Sequence, residues 1–185
     1  MERQVAAATV SQFGDLLQEI SGVDINVCYE CRKCASGCPV AYAMDYTPVQ
    51  LLHAARLGLK DLVLGSATIW LCVSCETCVT RCPQDVDLVK VMDSLRAMAL
   101  QNGVKPKVPE VAHFYRSSLR NIRWFGRIYE LGLVGQLKLA TRQFSKDLGL
   151  GLKTLKRRKL KLLPDFGGFG GARRIFSRVR KAERR

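Results

Sequence analysis

All eight cysteines of the chain fall into two runs with identical spacing, C-x2-C-x2-C-x3-C-P. The first run consists of Cys28, Cys31, Cys34 and Cys38, followed by Pro39. The second consists of Cys72, Cys75, Cys78 and Cys82, followed by Pro83. This spacing is typical of the thiolate ligands of 4Fe-4S clusters in two-cluster ferredoxins. Two copies that together use every cysteine predict two cubane clusters and single-electron chemistry.

The spacing also predicts how the cysteines divide between the clusters. A loop with a cysteine at every third residue can bind three corners of a cubane, and in two-cluster proteins the fourth cysteine of each run ligates the other cluster. One expected quartet is therefore Cys28, Cys31, Cys34 and Cys82. The other is Cys72, Cys75, Cys78 and Cys38. The proline after each fourth cysteine fixes φ and lacks an N–H, so it turns the chain away from the cluster.

Other uses of cysteine fit this pattern less well. A disulfide framework needs an oxidising compartment, and no apolar segment typical of a secretory signal follows Met1. Zinc sites usually combine paired C-x-x-C units or added histidines, whereas His53 and His113 lie outside both runs. A thioredoxin-like C-x-x-C would not recur with this extended spacing. We therefore expect a cytoplasmic protein, and the longest uncharged stretch, residues 62–75, is too short to span a membrane.

The periodicity of the segments around the cysteine runs is helical. Apolar spacing predicts a short helix over Val10–Ile20, before the first run. Residues 47–50, Thr-Pro-Val-Gln, have the composition of a capping box with proline at the first helical position. Asp85 or Asp87 can cap a third helix that continues through Asn102. No alternation with a period of two lies between the runs, so we expect an all-α, two-cluster ferredoxin-like fold rather than a β-rich ferredoxin.

Charge divides the chain into two parts. Residues 1–100 carry a net charge of −3, whereas residues 101–152 carry +6 and residues 153–185 carry +11. A proline-punctuated break at 105–109 lies close to this change. We therefore predict a helical dicluster iron–sulfur domain over residues 1–109. Residues 110–185 are predicted to be a basic, helical and partly extended C-terminal extension that docks on a partner.

The composition of the extension leaves its partner open. Arginines and aromatic residues are interleaved from 110 to 150, a pattern favoured at protein interfaces and also able to bind single-stranded nucleic acid. Lys153–Lys161 is a basic run, and Gly167–Gly171 is interpreted as a flexible hinge or an extended strap. A protein partner is the better fit beside two clusters, so no nucleic-acid partner is expected. Attachment to a membrane surface through residues 110–161 is a further alternative.

The two cysteine loops resemble those of a known family. Cys28–Pro39 resembles the first cluster loop of the C subunit of heterodisulfide reductase, and Trp70–Pro83 resembles its second. The resemblance implies a protein that relays electrons between a flavin-bearing, iron–sulfur A subunit and a B subunit that reduces a disulfide. In methanogens that disulfide joins coenzyme M to coenzyme B. The resemblance thus implies a hetero-oligomeric complex.

The departures from a complete reductase are also informative. The chain has no Cys-Cys-Gly element, no spare cysteine and no flavin-binding fingerprint, so we expect catalysis on the partner subunits and no catalytic residue here. The first alternative is an iron–sulfur subunit of another oxidoreductase, although respiratory dehydrogenases of that kind add a 2Fe-2S domain with its own cysteines. The second is a nucleic-acid-binding protein with structural clusters, which only the basic C-terminal part supports.

Overall fold

All regular secondary structure in the described part of the chain is helical. The computed structural model describes residues 2–141, 149 and 168–182. Its helices are α1 Glu2–Ser21, α2 Lys33–Ser36, α3 Pro48–Arg56, α4 Lys60–Leu64, α5 Thr68–Leu71, α6 Thr77–Thr80, α7 Leu88–Gln101, α8 Pro109–Phe125, α9 Glu130–Thr141 and α10 Phe169–Ala182, with a 3-10 turn at Ala41–Ala43. The all-α expectation is confirmed. Two compact units are formed, Met1–Pro109 and Glu110–Arg185.

The core of the first unit lies between its three longer helices. Helix α1 packs on α3 and α7, while α4 and α5 also contact α7. The most completely buried side chains of this unit include Leu17, Ile25, Leu51, Leu64, Ile69 and Leu95. Complete burial of such a side chain stabilises a fold by about 1.5–3 kcal/mol. These helices therefore form a rigid base for the two cysteine loops, whose short helices α2 and α6 rest on α3 and α7 respectively.

The predicted starts of α3 and α7 are present. The capping box at the start of α3 is formed, with Thr47 N donating to Gln50 Oε1 at 2.9 Å. The N-cap of α7 is Asp87, whose side chain accepts a hydrogen bond from Lys90 N at 3.0 Å. Asp85, the other candidate for this cap, instead has a positive φ of 51° in the preceding loop. Both starts depend on contacts within four residues, which explains why the local sequence was enough to predict them.

Helix α1 differs from its prediction in length and in its buried face. It begins at Glu2 rather than near residue 10. Phe13 and Leu17 are buried, but Leu16 and Ile20 are exposed. The helix packs on α3 through the buried side, where a Cβ on Gly14 would be in ordinary van der Waals contact with Ala55 O at 3.7 Å. The contacts of α1 with α3 and α7 therefore bury the side that carries Phe13 and Leu17.

The second unit contains α8, α9 and α10. Asn121 on α8 is fully buried, and its Oδ1 accepts a hydrogen bond of 2.6 Å from Tyr129 N. Gly126 has a φ of 76°, and a Cβ there would come within 2.1 Å of the carbonyl carbon of Gly168. Only glycine therefore permits this close approach between the turn after α8 and the start of α10.

The hinge or strap interpretation of Gly167–Gly171 is wrong for Phe169–Gly171, which form the first turn of α10. Close backbone packing of Gly168 against Gly126 holds this helix start in place. Gly167 and the basic run Lys153–Lys161 lie outside the described residues. Within the described part of the chain, no helix combines the length and the apolar character needed to cross a bilayer.

Candidate metal centre

The two cysteine loops have the same backbone conformation. Two residues in each loop have positive φ at corresponding places: Glu30 and Arg32 at 63° and 62°, Ser74 and Glu76 at 52° and 59°. None of them is glycine, so each costs about 1–2 kcal/mol in backbone strain. The following short helices also correspond, since α2 starts after Arg32 and α6 after Glu76. The repeat found in the sequence is thus a structural repeat with an offset of 44 residues.

The strained conformation suits a negatively charged cluster. Residues that alternate between right- and left-handed conformations form nests, in which successive backbone N–H groups face one concave side, and such nests occur at many Fe–S sites. A cubane bound by four thiolates is an anion, so N–H groups on that side stabilise it. One direct N–H···S contact is present, from Val86 N to Cys82 Sγ at 3.3 Å. The residues present therefore fit a cluster in each loop.

The second quartet surrounds one small cavity. Its cysteines Cys72, Cys75 and Cys78 line this cavity together with Cys38 from the first run. The remaining lining is apolar and includes Met44, Val40, Pro48, Val73, Leu88, Val89 and Met92. An apolar shell excludes water and lowers the local dielectric, which is how proteins tune such centres. Within the described residues, no three His, Cys, Asp or Glu side chains converge on one point as ligands of a single ion would.

The fourth cysteine of the second run lies beside the first loop. Tyr29 lies between the first two cysteines of that loop, and Cys31, Cys82 and Cys28 influence the pKa of its hydroxyl. The pKa of its hydroxyl is raised, first by desolvation and then by Cys31. Cys82 contributes to this raised pKa together with two first-run cysteines, and the side chain of the adjacent Arg81 packs against Gly37 of the first run. The structure thus places Cys38 at the cavity of the second loop and Arg81, directly before Cys82, beside the first run.

The two loops also lie next to each other. Helices α2 and α6, which carry Cys34 and Cys78, are in contact. Gly37 leaves room for the Arg81 side chain, because a Cβ there would come within 2.6 Å of an Arg81 guanidinium nitrogen. Gly37 and Arg81 occupy corresponding positions, each directly before the fourth cysteine of its run. A side chain at Gly37 would therefore require the Arg81 side chain to move.

The thiol groups differ in acidity according to their surroundings. Burial raises the pKa of Cys78 to about 11, with a further contribution from the neighbouring Cys72. Burial also raises the pKa of Cys34. The pKa of Cys75 is lowered, mainly by its hydrogen bond with Thr77, whose Oγ1 lies 3.4 Å from Cys75 Sγ. Clustered thiolates repel one another, and binding of positively charged iron removes this cost while it displaces the thiol protons.

Two arginines hold the loops from the helices that follow them. Arg56 on α3 donates from Nη1 to Cys28 O at 2.9 Å. Arg96 on α7 donates from Nη2 to Cys72 O and from Nε to Ile69 O. Neither contact was expected from the sequence. The available indication was that each arginine is the ninth residue of the helix after a cysteine run.

His53 has a structural contact in this region. Its Nδ1 lies 2.6 Å from Glu30 Oε1, and about half of its side chain is exposed. The same carboxylate oxygen is 3.3 Å from Arg56 Nη1. His53 therefore contacts the first loop through Glu30 and not through a cysteine.

Comparison with known proteins places the chain in a family. Residues 24–86 match the family profile described as the 4Fe-4S dicluster domain. The second iron–sulfur C subunit of the CoB–CoM heterodisulfide reductase of Methanocaldococcus jannaschii is 37% identical over 134 residues, which cover 67% of this chain and 68% of that protein. The chain belongs to the family of heterodisulfide reductase C subunits. It is an iron–sulfur electron-transfer protein with two 4Fe-4S clusters.

Other relatives in this family extend the similarity over more of the chain. The C subunit of the H2:CoB–CoM heterodisulfide, ferredoxin reductase of Methanothermobacter marburgensis is 29% identical over 150 residues, or 78% of this chain and 80% of that protein. A protein of Archaeoglobus profundus described as similar to the heterodisulfide reductase C subunit is 28% identical over 137 residues, or 74% and 65%. The family resemblance inferred from the cysteine loops is thus confirmed.

Proposed function

We propose that this chain relays single electrons through two clusters that share its cysteines in crossed quartets. Cys28, Cys31, Cys34 and Cys82 would hold one cluster, and Cys72, Cys75, Cys78 and Cys38 the other. The observation that carries this proposal is the presence of Cys38 in the cavity of the second loop. The contact between α2 and α6 supports it further, because it would hold the two clusters near each other. When bound, the clusters supply the one-electron chemistry, and the chain supplies their position and surroundings.

Each proposed cluster has one exposed corner. Cys31 in the first quartet and Cys75 in the second are exposed, whereas the other six cysteines are partly buried. The residues next to the first cysteines, Tyr29 and Val73, are also more than half exposed. An electron can therefore enter through one loop and leave through the other without crossing the protein core. This arrangement suits a protein that lies between a donor and an acceptor.

The proposed partners are a flavin-bearing, iron–sulfur A-type subunit and a disulfide-reducing B-type subunit, in a hetero-oligomeric complex of the cytoplasm. The relatives' names support the substrate, since they refer to the CoB–CoM heterodisulfide. We propose this disulfide as the substrate of the complex in a methanogenic host. A reducing compartment keeps the cysteines available as thiolates. Catalysis lies on the partners, and no catalytic residue is assigned to this chain.

The second unit is proposed to dock on one of these partners. A groove between α8 and α10 is lined by Arg123, Arg173, Arg180 and Lys181, with Phe176 and Ser177 between them. Four cations around one groove fit an acidic protein surface, and such complementarity gives specificity and a fast association. The apolar Ile175 and Val179 on the same helix are at least half exposed and could add contact area.

Anaerobic purification of the tagged full chain from its host tests the proposed partners. The expected result is co-purification of a flavoprotein and of a protein rich in Cys-Cys-Gly elements. Recovery with a different oxidoreductase would contradict the A-type and B-type assignment and favour the first alternative. Reversible reduction and reoxidation of both clusters in the isolated chain is also expected. Clusters that do not cycle, together with bound RNA or DNA, would favour the nucleic-acid alternative.

Charge reversal on α10 tests the docking groove. Arg173→Glu with Arg180→Glu changes two residues that line it, and recovery of the partners at physiological salt should fall at least tenfold. Arg174→Glu with Arg178→Glu makes the same change of charge at positions of α10 that do not line the groove. This matched control should retain the partners. Equal losses in both variants would refute the groove and indicate a diffuse electrostatic attraction.

A further inference from the structure

We infer that Arg56 and Arg96 are a matched pair of positioning residues, each of which raises the reduction potential of one cluster. This inference rests on the crossed quartets proposed above. Arg56 bonds the carbonyl of Cys28, and Arg96 bonds the carbonyl of Cys72. Cys28 and Cys72 are the first cysteines of their runs and belong to different quartets.

The two arginines occupy the same position in the helix that follows each cysteine run, although they are 40 residues apart and the cysteine loops repeat with an offset of 44. Helix α3 begins at Pro48 and α7 at Leu88, so Arg56 and Arg96 are each the ninth residue of their helix. Each reaches back from this helix to the start of the preceding cysteine loop. Two surface arginines that met a loop by chance would not coincide in both their helical position and their target atom. The contact is therefore part of how each loop is held.

A guanidinium at this place affects a cluster in two ways. It provides a fixed positive charge beside the peptide that carries an iron ligand. Reduction adds one electron to the cluster, and the nearby positive charge stabilises the added negative charge. Net charge and hydrogen bonding around the cluster are known determinants of its potential. The hydrogen bond also fixes the first ligand of the loop.

The surroundings predict that Arg56 and Arg96 raise the reduction potentials of their clusters by different amounts. The Arg96 side chain is 13% exposed and pairs with Asp93 at 2.8 Å, whereas the Arg56 side chain is 29% exposed and pairs with Glu30 at 3.3 Å. Water screens the more exposed charge more strongly. In addition, Glu30 belongs to the cluster loop, so its negative charge opposes that of Arg56 close to the first cluster. The Arg96 contribution should therefore be the larger one.

The test is an EPR-monitored redox titration of the anaerobically purified, cluster-containing full chain. Arg56→Gln and Arg96→Gln remove the charge but retain a hydrogen-bond donor. Each should lower the midpoint of one cluster only, and the two variants should affect different clusters. For Arg96→Gln we expect the midpoint to fall by about 59 mV, which corresponds for one electron to about a tenfold change in the ratio of oxidised to reduced cluster. The fall in midpoint for Arg56→Gln should be smaller. Arg56→Lys and Arg96→Lys keep the charge, so their cluster midpoints should remain closer to those of the unmodified chain.

Matched controls separate this effect from general loss of charge. Lys60→Met on α4 and Lys90→Met on α7 each remove one cation whose contact is with Asn102 or Asp87, not with a cysteine. Neither should move a midpoint, and iron and sulfide content should be unchanged in every variant. Any of three results would overturn the inference. Both arginine variants could shift the midpoint of the same cluster, one variant could shift both midpoints together, or neither midpoint could shift.

If Arg96→Gln fails to bind its clusters, a variant of its ion-pair partner Asp93 tests the same inference. Asp93 is exposed, and it carries the carboxylate that partly offsets Arg96. Asp93→Asn should raise one midpoint and leave the other in place. An unchanged pair of midpoints in this variant would count against the role of Arg96. Failure of the crossed quartets would show separately, because EPR of single cysteine variants reports on ligation and not on potential.

Discussion

Asp45 connects the chain after the first cysteine run to the segment that leads into the second. Its carboxylate accepts hydrogen bonds from Ser66 Oγ at 2.7 Å, Ala67 N at 2.9 Å and Thr68 Oγ1 at 2.8 Å. Lys107 Nζ is 3.0 Å away and adds an ion pair. Ser66 and Thr68 are 1% and 0% exposed, so water does not replace a lost partner easily. We therefore expect Asp45→Ala to destabilise the first unit strongly.

The contacts of Asp45 set the size of this effect. Each buried donor left without an acceptor costs about 1–3 kcal/mol. The Thr68 hydroxyl keeps Tyr46 O as an acceptor at 2.5 Å, whereas Ser66 Oγ and Ala67 N lose theirs. Asp45→Ala should therefore lower the free energy of unfolding by about 2–5 kcal/mol. With an m value of about 2 kcal/mol/M, which is typical of a small domain, the urea midpoint should fall by about 1–2.5 M.

Anaerobic urea unfolding of the full chain, followed by far-UV circular dichroism, measures this shift. Asp15→Ala is the matched control, because Asp15 is an exposed carboxylate on α1. Its effect should stay within about 0.5 kcal/mol. A fall in midpoint for Asp45→Ala no larger than that of Asp15→Ala would refute the role assigned to the Asp45 contacts.

The stabilisation by Asp45 should also depend on pH. Desolvation alone would raise the pKa of this carboxyl, but the hydrogen bonds from Ser66, Ala67, Lys107 and Thr68 outweigh it and hold the pKa well below its usual range. A carboxyl with a lowered pKa stabilises the fold fully above its unfolded value of about 3.9. This stabilisation is lost as the pH falls further, through the folded pKa. The difference between the unmodified chain and Asp45→Asn should accordingly be constant above about pH 5 and shrink below about pH 4.

Three further predictions concern the helices and the C-terminal part. Thr47→Ala removes the capping box of α3 and should cost about 1 kcal/mol in the same urea assay. Leu95→Ala, at a fully buried position of α7, should cost about 2–5 kcal/mol and accelerate the loss of cluster absorbance. Removal of residues 153–185, which carry a net charge of +11, should leave iron content unchanged but weaken retention of the partners on a column; undiminished retention would argue against docking by this part.

The sequence predicted those features that depend on spacing or on neighbouring residues. The capping box at Thr47 and the cap at Asp87 are local, and the cysteine spacing is specific enough to indicate both clusters. The positive φ values at Glu30 and Ser74 had no comparable indication, because residues other than glycine rarely adopt them. They became evident only from the folded loops.

The missed contacts are those between distant parts of the chain. Asp45 bonds residues about 22 positions away, and Arg96 bonds Cys72 across 24 positions. Hydropathy patterns identify buried faces but do not say which polar groups will meet. Comparison of the two helices by position would have aligned Arg56 with Arg96. The exposed Leu16 and Ile20 show the opposite error, since apolar spacing alone placed them on a buried face.

The number of clusters is the first part of the central claim. Two cubanes require about eight iron and eight sulfide per chain in anaerobic assays of the purified protein. About four iron, or stoichiometric zinc, would contradict the two-cluster account.

The division of the cysteines between the clusters is tested most directly by EPR of single variants in the full chain. If the quartets are crossed, Cys82→Ser perturbs the same signal as Cys31→Ser, and Cys38→Ser perturbs the same signal as Cys75→Ser. The comparison needs no prior assignment of either signal, because it asks only which variants behave alike. The account would be contradicted if Cys82→Ser instead changed the signal that Cys75→Ser changes and left the other signal intact.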